Sequence, residues 1–342
     1  MTKKKSHELG VGVIGYGYWG PNLVRNFMSD TGTRVVAVCD RSKDRLAEVK
    51  RLYPGVETTA EPKDLFRNTD IDAIAIATPV ATHFELARDA LRAGKHVLVE
   101  KPIASTSDQA SQMIEEAARR KLVLLVDHTF VFTGAVTKIR DVIREDSFGK
   151  LQYYDSTRVN LGLFQHDVNV LWDLAVHDLS IMDFVLGAAP VAVSATGLSH
   201  VRDQPANIAF MTLFFDSDII AHINVNWLSP VKIRRTLVGG SKRMIVYDDL
   251  ETSEKVKIYD KGITVTETPD EVRKLLISYR TGDLWSPKVN ETEALRLEVA
   301  HFRNCIEGKE KPLTPGERGL AIVRMLEAAD ESMKKRGQAI KL

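Results

Sequence analysis

Cysteine is nearly absent from this chain: its 342 residues include two, Cys39 and Cys305. Two cysteines make no disulfide framework, so packing must hold the fold, and a reducing cytoplasm is the compartment to expect. Cys39 falls inside an apolar run and reads as a small buried hydrophobe. Net charge is lacking as well. The 47 Lys and Arg nearly cancel the 46 Asp and Glu, leaving +1. That balance offers no basic face to nucleic acid and no electrostatic hold on an anionic membrane. Long apolar runs are missing too: nothing approaches the roughly 18 residues that cross a bilayer. The segment Lys3-Lys4-Lys5-Ser6-His7-Glu8 is polar and contains no secretory apolar core. Internal repeats and low-complexity tracts are also lacking.

What is present is an ordinary globular composition, 44% hydrophobic and 27% charged, at a length that suggests about two domains. Up to residue 127, strand and helix patterns alternate. Apolar runs at 11–14, 34–39, 73–77, 96–100 and 122–126 read as buried parallel strands. Residues 43–53, 82–93 and 107–121 read as helices between them, Ser107 being the expected N-cap of the last. Beyond 127 the pattern changes. Helical segments at 136–145, 168–187, 291–307 and 316–336 flank strand-like runs at 151–161, 191–199, 208–216, 219–227, 234–238 and 243–247. The expected architecture is an α/β Rossmann domain over 1–127, with a doubly wound parallel sheet. An α+β domain over 128–342 follows, carrying a large, mostly antiparallel open sheet.

The first strand runs directly into Gly15-Tyr16-Gly17-Tyr18-Trp19-Gly20, and Pro21 starts a helix. The second strand ends in Asp40, twenty residues beyond Gly20. Strand, glycine turn, helix, strand and acid make one dinucleotide-binding unit. Gly15 permits the tight turn, Gly17 lets backbone approach a pyrophosphate, and Gly20 lets helix and strand pack closely. The helix N-terminus presents free N–H groups to the phosphates. Asp40 can accept hydrogen bonds from an adenosine ribose and would repel a 2′-phosphate, so NAD is expected over NADP. The neighbouring Arg41 could instead accept such a phosphate, and the choice stays open at this point.

In doubly wound sheets, ligands bind beyond the carboxyl ends of the strands. Two further segments occupy such ends: Thr78-Pro79, followed by His83, and Glu100-Lys101-Pro102. Pro102 biases Lys101 toward an extended backbone. A third candidate lies on the helix 168–187, which is apolar almost all round and so reads as buried. Asp173, His177 and Ser180 fall at i, i+4 and i+7 on one of its faces. Buried polar groups need partners or a cavity. The stripe is therefore either an internally satisfied pair or a face turned toward a ligand. Arg158 and Asn160 precede the loop 161–169 and are expected to point from a strand toward that site.

Together, Gly15-x-Gly17-x-x-Gly20, Thr78-Pro79 and Glu100-Lys101-Pro102 resemble the Gfo/Idh/MocA oxidoreductase family over essentially the whole chain. The sequence is most similar to its nucleotide-sugar 3-dehydrogenase-like members. The resemblance implies NAD(P) binding and hydride transfer at a secondary hydroxyl of a sugar or cyclitol. It implies that Lys101 lies between nicotinamide and substrate, and that Glu100 sits near the nicotinamide ribose. The family's Asp-x-x-x-His pattern is matched by Asp173-Leu174-Ala175-Val176-His177. Two departures stand nearby. Gln165-His166-Asp167-Val168-Asn169 replaces the usual glycine-rich run, and Ala175 stands where glycine is common. The expected mechanism has His177 taking the hydroxyl proton, Lys101 donating to the developing oxygen, and Asp173 orienting His177 or binding an adjacent hydroxyl. Lys101 and His177 could exchange roles. Two other readings remain: a redox-neutral sugar-modifying enzyme with tightly held NAD, and a non-catalytic NAD-binding regulator. A homodimer or homotetramer joined through the second-half sheet is also expected.

Overall fold

The computed structural model describes residues 8–162, 168–265 and 277–342. The chain divides into two compact units, each discontinuous in sequence. One comprises Met1–Phe132 with Thr292–Arg324, the other Thr133–Glu291 with Met325–Leu342. This division by contacts assigns Thr292–Arg324 to the first unit, where the linear expectation of 1–127 and 128–342 keeps it with the second.

In the first unit, β1 (Leu9–Ile14), β2 (Thr33–Cys39), β3 (Glu57–Thr59), β4 (Ala73–Ile76), β5 (His96–Glu100) and β6 (Leu124–Asp127) form one sheet. Its order is β3-β2-β1-β4-β5-β6 and every pairing is parallel. Helices α1 (Gly20–Ser29), α2 (Lys43–Leu52), α3 (Pro62–Arg67), α4 (His83–Arg92) and α5 (Ser107–Arg120) make the crossovers. Burial on both faces explains the unbroken apolar strands: Ala73, Ile74, Ala75 and Ile76 are all wholly buried. Chain order reverses between β1 and β4, and such a switch point opens a crevice at the strands' carboxyl ends.

Three local details differ from the sequence expectation. The edge strand β3 is short and polar, Glu57-Thr58-Thr59, and has no apolar signature. The N-cap of α5 is Thr106 rather than Ser107, its hydroxyl accepting from the Gln109 N–H at 3.2 Å. Strand β6 begins at Leu124 and runs through Asp127, which brings that carboxyl to the strand's open end. The returning helix Ala294–Ile306 places Leu295, Val299 and Phe302 in the same core as β1 and α1. The Phe302 ring meets Phe27 edge-on, with centroids 6.4 Å apart.

The second unit contains α6 (Gly134–Ile143), β7 (Leu151–Leu161), α7 (Val176–Leu186), β8 (Ala192–Leu198), β9 (Ile208–Phe214), β10 (Ile220–Asn226), β11 (Leu228–Gly240), β12 (Met244–Asp248) and β13 (Val256–Tyr259). The short strands β14 (Gly262–Val265), β15 (Ile277–Arg280), β16 (Leu284–Trp285) and β17 (Ile340–Lys341) follow. Among the described residues the large sheet runs β16-β13-β12-β11-β7-β10-β9-β8-β17, and β14 pairs with β15 separately. Within the large sheet β7 and β10 are parallel and the other pairs antiparallel. Alternation is plain in β9 and β10. Ala209, Met211, Leu213, Ala221, Ile223 and Val225 are wholly buried. Their neighbours Phe210, Phe214 and Ile220 lie on the other face, 42%, 38% and 49% exposed. No helix among the described residues is long and apolar enough to cross a membrane.

Candidate active site

The glycine turn is shaped by what cannot fit. Gly15 has φ +96°, a backbone state that L side chains rarely adopt, and a Cβ there would lie 2.5 Å from the Ala77 carbonyl oxygen. A Cβ on Gly20 would lie 2.1 Å from the Gly15 carbonyl oxygen. Gly17 differs: the nearest atoms to a Cβ there belong to the Arg45 guanidinium, at 3.5 Å and beyond. The space over Gly17 is thus bounded by one flexible side chain, which suits close approach of a phosphate. Tyr18 is 92% exposed. Tyr16, counted with Tyr18 and Trp19 among the cofactor-binding positions of the turn, has its ring buried in the core, which leaves only its backbone for such a contact.

Asp40 is buried at the end of β2. Its carboxylate accepts from the Tyr16 N–H at 2.7 Å and the Ser42 N–H at 2.8 Å, and pairs with Arg45 at 3.4 Å. These donors hold it against the glycine turn. A carboxylate offers about four acceptor sites, so capacity for one further donor remains. Arg41 is exposed beside it.

The two other strand ends are tied together by His83. Its ring nitrogens lie 2.8 Å from the carbonyl oxygens of Pro102 and of Thr78. His83 is 1% exposed, and burial holds its imidazole below the ordinary range. The expectation that His83 contacts the cofactor is corrected: both ring nitrogens are engaged by the two loops it joins. Thr78 is linked to Thr82 through their hydroxyls, 2.7 Å apart, which closes the turn around Pro79. Glu100 and Lys101 are partly buried at the end of β5, and the Lys101 N–H donates to the Glu100 carboxyl at 3.1 Å.

Glu100 is not a simple surface carboxylate. Burial, and then the Asp127 charge, push it well above the ordinary carboxylate range. Glu298, wholly buried on the helix Ala294–Ile306, is pushed well above that range by burial and by the same Asp127. Asp127 also accepts from the Trp19 indole N–H at 2.7 Å and from the Thr129 hydroxyl. Trp19, expected among the cofactor contacts, therefore spends its indole N–H on the protein.

The second unit carries the other candidates. The segment before α7 is a π turn, Leu171–Ala175, in which the Val176 N–H reaches back five residues to the Leu171 carbonyl. Such single turns recur at functional sites. Asp173, Leu174 and His177 are partly accessible, while their neighbours from Val170 to Val185 are mostly buried. The expected stripe stops there: Ser180 is 3% exposed and donates to the His177 carbonyl at 2.7 Å. Asp173 accepts from the Trp227 indole N–H at 3.0 Å. Arg158 does not point to an open face. It is 3% exposed and pairs with the buried Asp178 at 2.7 Å, so its expected role as a substrate contact is corrected. Asn160 is partly buried near the end of β7. Residues 165–167 of the departing loop lie outside the described residues, as do 163 and 164.

Residues 9–128 match the family model described as oxidoreductase family, NAD-binding Rossmann fold. Residues 140–342 match its companion, the oxidoreductase family C-terminal alpha/beta domain. The chain belongs to the Gfo/Idh/MocA oxidoreductases. Among similar proteins is the UDP-N-acetylglucosamine 3-dehydrogenase of Acidithiobacillus ferrooxidans, 27% identical over 324 residues, 92% of this chain and 94% of that one. Its solved structure superposes with a TM-score of 0.81 over 96% of this chain and 98% of that chain, at 24% identity. Inositol 2-dehydrogenase 2 of Saccharopolyspora erythraea is 30% identical over 243 residues, 68% of this chain and 71% of that one. GenD2 from gentamicin A biosynthesis, solved in complex with NAD, has a TM-score of 0.82 at 21% identity, covering 100% of this chain and 99% of that chain. At that identity the likeness is one of fold.

The glycine turn, Asp40 and Lys101 all fall within residues 9–128, the part matched by the NAD-binding Rossmann model. Three residues of these sites were not singled out from sequence. Asp127 ends a strand at what reads as a domain boundary. Trp227 closes an alternating strand and looks like core. Glu298 did leave a signal: an acid among Leu295, Val299 and Phe302, on the face of a helix that those residues mark as buried.

Proposed function

We propose that this oxidoreductase is an NAD-dependent dehydrogenase acting on a secondary hydroxyl of a sugar or nucleotide sugar. The observation that carries the reading is the Glu100-Lys101-Pro102 strand end in the same unit as a glycine turn open only over Gly17. NAD is preferred to NADP because the Asp40 carboxylate, fixed by the Tyr16 and Ser42 N–H groups, keeps negative charge where a 2′-phosphate would come. The nucleotide-sugar class follows the A. ferrooxidans relative, whose name specifies UDP-N-acetylglucosamine. Buried thiols at Cys39 and Cys305 suit a reducing cytoplasm as the setting.

When bound, the dinucleotide supplies the hydride acceptor. The α1 N-terminus and Gly17 would hold its pyrophosphate. A ring nitrogen of His177 takes the hydroxyl proton as hydride leaves. Lys101 Nζ donates a hydrogen bond to the oxygen as negative charge develops there. Asp173, held by the Trp227 indole, orients His177 or binds a neighbouring hydroxyl.

The test is formation of reduced nicotinamide from NAD and from NADP against UDP-sugars, free sugars and inositols. Lys101→Ala and His177→Ala should each lower kcat by about 10²–10⁴-fold. A loss below about threefold in both variants would overturn these assignments. NAD retained through purification with no net turnover would favour a redox-neutral reaction instead.

The open sheet face with Phe210, Phe214 and Ile220 is proposed to meet a second copy of the chain. Sedimentation should give a dimer or tetramer at micromolar protein, and Ile220→Lys should shift it toward monomer. A monomeric wild type rejects this contact.

A further inference from the structure

Asp127 sits at a crossing of four side chains within the first unit. The Trp19 indole N–H donates to one of its oxygens at 2.7 Å, and the Thr129 hydroxyl donates to the other. Glu100 pairs with Asp127 in register across β5 and β6, and the buried Glu298 faces the same carboxyl from the helix Ala294–Ile306. Neither oxygen of the wholly buried Glu298 finds an N–H or O–H donor in good geometry. The groups facing it are Asp127, Glu100 and Thr129. Three adjoining carboxyls, those of Asp127 and Glu298 buried and that of Glu100 partly so, do not all ionise together, and a carboxyl touching a carboxylate is favourable only when one of them carries a proton. With Glu100 and Glu298 protonated, both become donors to the Asp127 carboxyl. Asp127 then accepts four hydrogen bonds, the number its lone pairs allow.

We propose that Asp127 is a positioning residue of the dinucleotide site, tying Trp19 of the glycine turn to Glu100 of the strand end that carries Lys101. Trp19 immediately precedes Gly20, the first residue of α1, so its tether sets where the helix N–H groups point. Glu100 immediately precedes Lys101. One carboxylate therefore fixes both the phosphate-holding turn and the backbone bearing Lys101. Glu298 anchors the hub to the helix Ala294–Ile306. The other charged or titratable groups facing the cluster are Lys101, toward Glu100, and His128, which is buried, kept neutral, and faced in turn by Arg318.

The inference rests on the reading that the chain binds NAD, so calorimetry of the wild type with NAD and NADP comes first. If neither binds, that reading fails. If the wild type binds, Trp19→Phe, which keeps a ring but removes the donor, should raise the Kd and KM for NAD about tenfold, as loss of a hydrogen bond to a charged group does. At saturating NAD its kcat should stay within about twofold, because Trp19 touches no reacting atom. Asp127→Asn should weaken NAD as well, since an amide cannot accept from both glutamic acids. The double variant should bind NAD no worse than the weaker single one, because both act through one contact. KM for NAD should also rise at alkaline pH as the cluster loses protons. Glu298→Gln, which keeps a donor but cannot titrate, should flatten that rise. Unchanged NAD affinity in Trp19→Phe, additive losses in the double variant, or a pH profile unaltered in Glu298→Gln would each overturn the proposal. Should Trp19→Phe not fold, Asp127→Asn and Glu298→Gln decide it through the same KM and pH readouts.

Discussion

At the scale of single residues, the glycine turn separates two kinds of constraint. Gly20 is required by the fold, since a Cβ would enter the Gly15 carbonyl at 2.1 Å and backbone would have to move. Gly17 has space above it, bounded by the Arg45 guanidinium, and on the proposed reading that space admits the dinucleotide phosphates. Gly20→Ala should therefore lose about 1–3 kcal/mol of stability together with NAD binding. Gly17→Ala should melt within a few degrees of wild type and lose NAD affinity alone. Thermal denaturation beside calorimetry checks the pair, and equal destabilisation in both would remove the distinction. The same scale shows where sequence reading stops. Asp40, Lys101, Asp173 and His177 stand in motifs that sequence alone displays, and the structure leaves Lys101, Asp173 and His177 partly accessible. Arg158 and His83 were placed at the site because they fall near it in sequence, but their burial and partners commit them to the protein.

At the scale of elements, apolar periodicity located most strands and helices of the first unit, because a strand buried on both faces has few polar residues to interrupt it. It could not locate β3, which lies at the sheet edge and is polar. Nor could it foresee the π turn. An apolar stretch reads the same whether its N–H groups bond four or five residues back. Only the observed bond from Val176 to Leu171 distinguishes them. That turn lies between Asp173 and the regular helix that carries His177, and Ser180, three residues further along the same helix, is inside the core. Extension of β6 by one residue matters for the same reason: it brings Asp127 to the strand end, where Glu100 pairs with it in register.

At the scale of the whole molecule, buried titratable groups make stability depend on pH in two opposite ways. Glu100 and Glu298 have folded values raised above the ordinary 4.5. Their contribution is fully present below 4.5 and is lost as pH rises through the raised folded values. His128 is lowered by burial from 6.5 to about 4. Its contribution is fully present above 6.5 and is lost as pH falls toward 4, up to about 3 kcal/mol. Glu298→Gln should leave the acid limb unchanged and flatten the alkaline one. Urea denaturation from pH 5 to about pH 9 measures this. An alkaline limb as steep in Glu298→Gln as in wild type would show that Glu298 is ionised in the folded protein.

By itself the sequence determined the parallel doubly wound sheet, the glycine turn, the strand-end acid and the family. Each of these is local: a period of apolar residues, a turn that only glycine can make, or a short motif at a strand end. Tertiary structure alone decided the rest. Glu298 stands almost two hundred residues from Glu100, Trp19 more than one hundred from Asp127, and Trp227 more than fifty from Asp173. Whether such groups are protonated, paired or free to meet a ligand depends on which neighbours replace water around them. Those neighbours come from distant parts of the chain, so no local pattern encodes them.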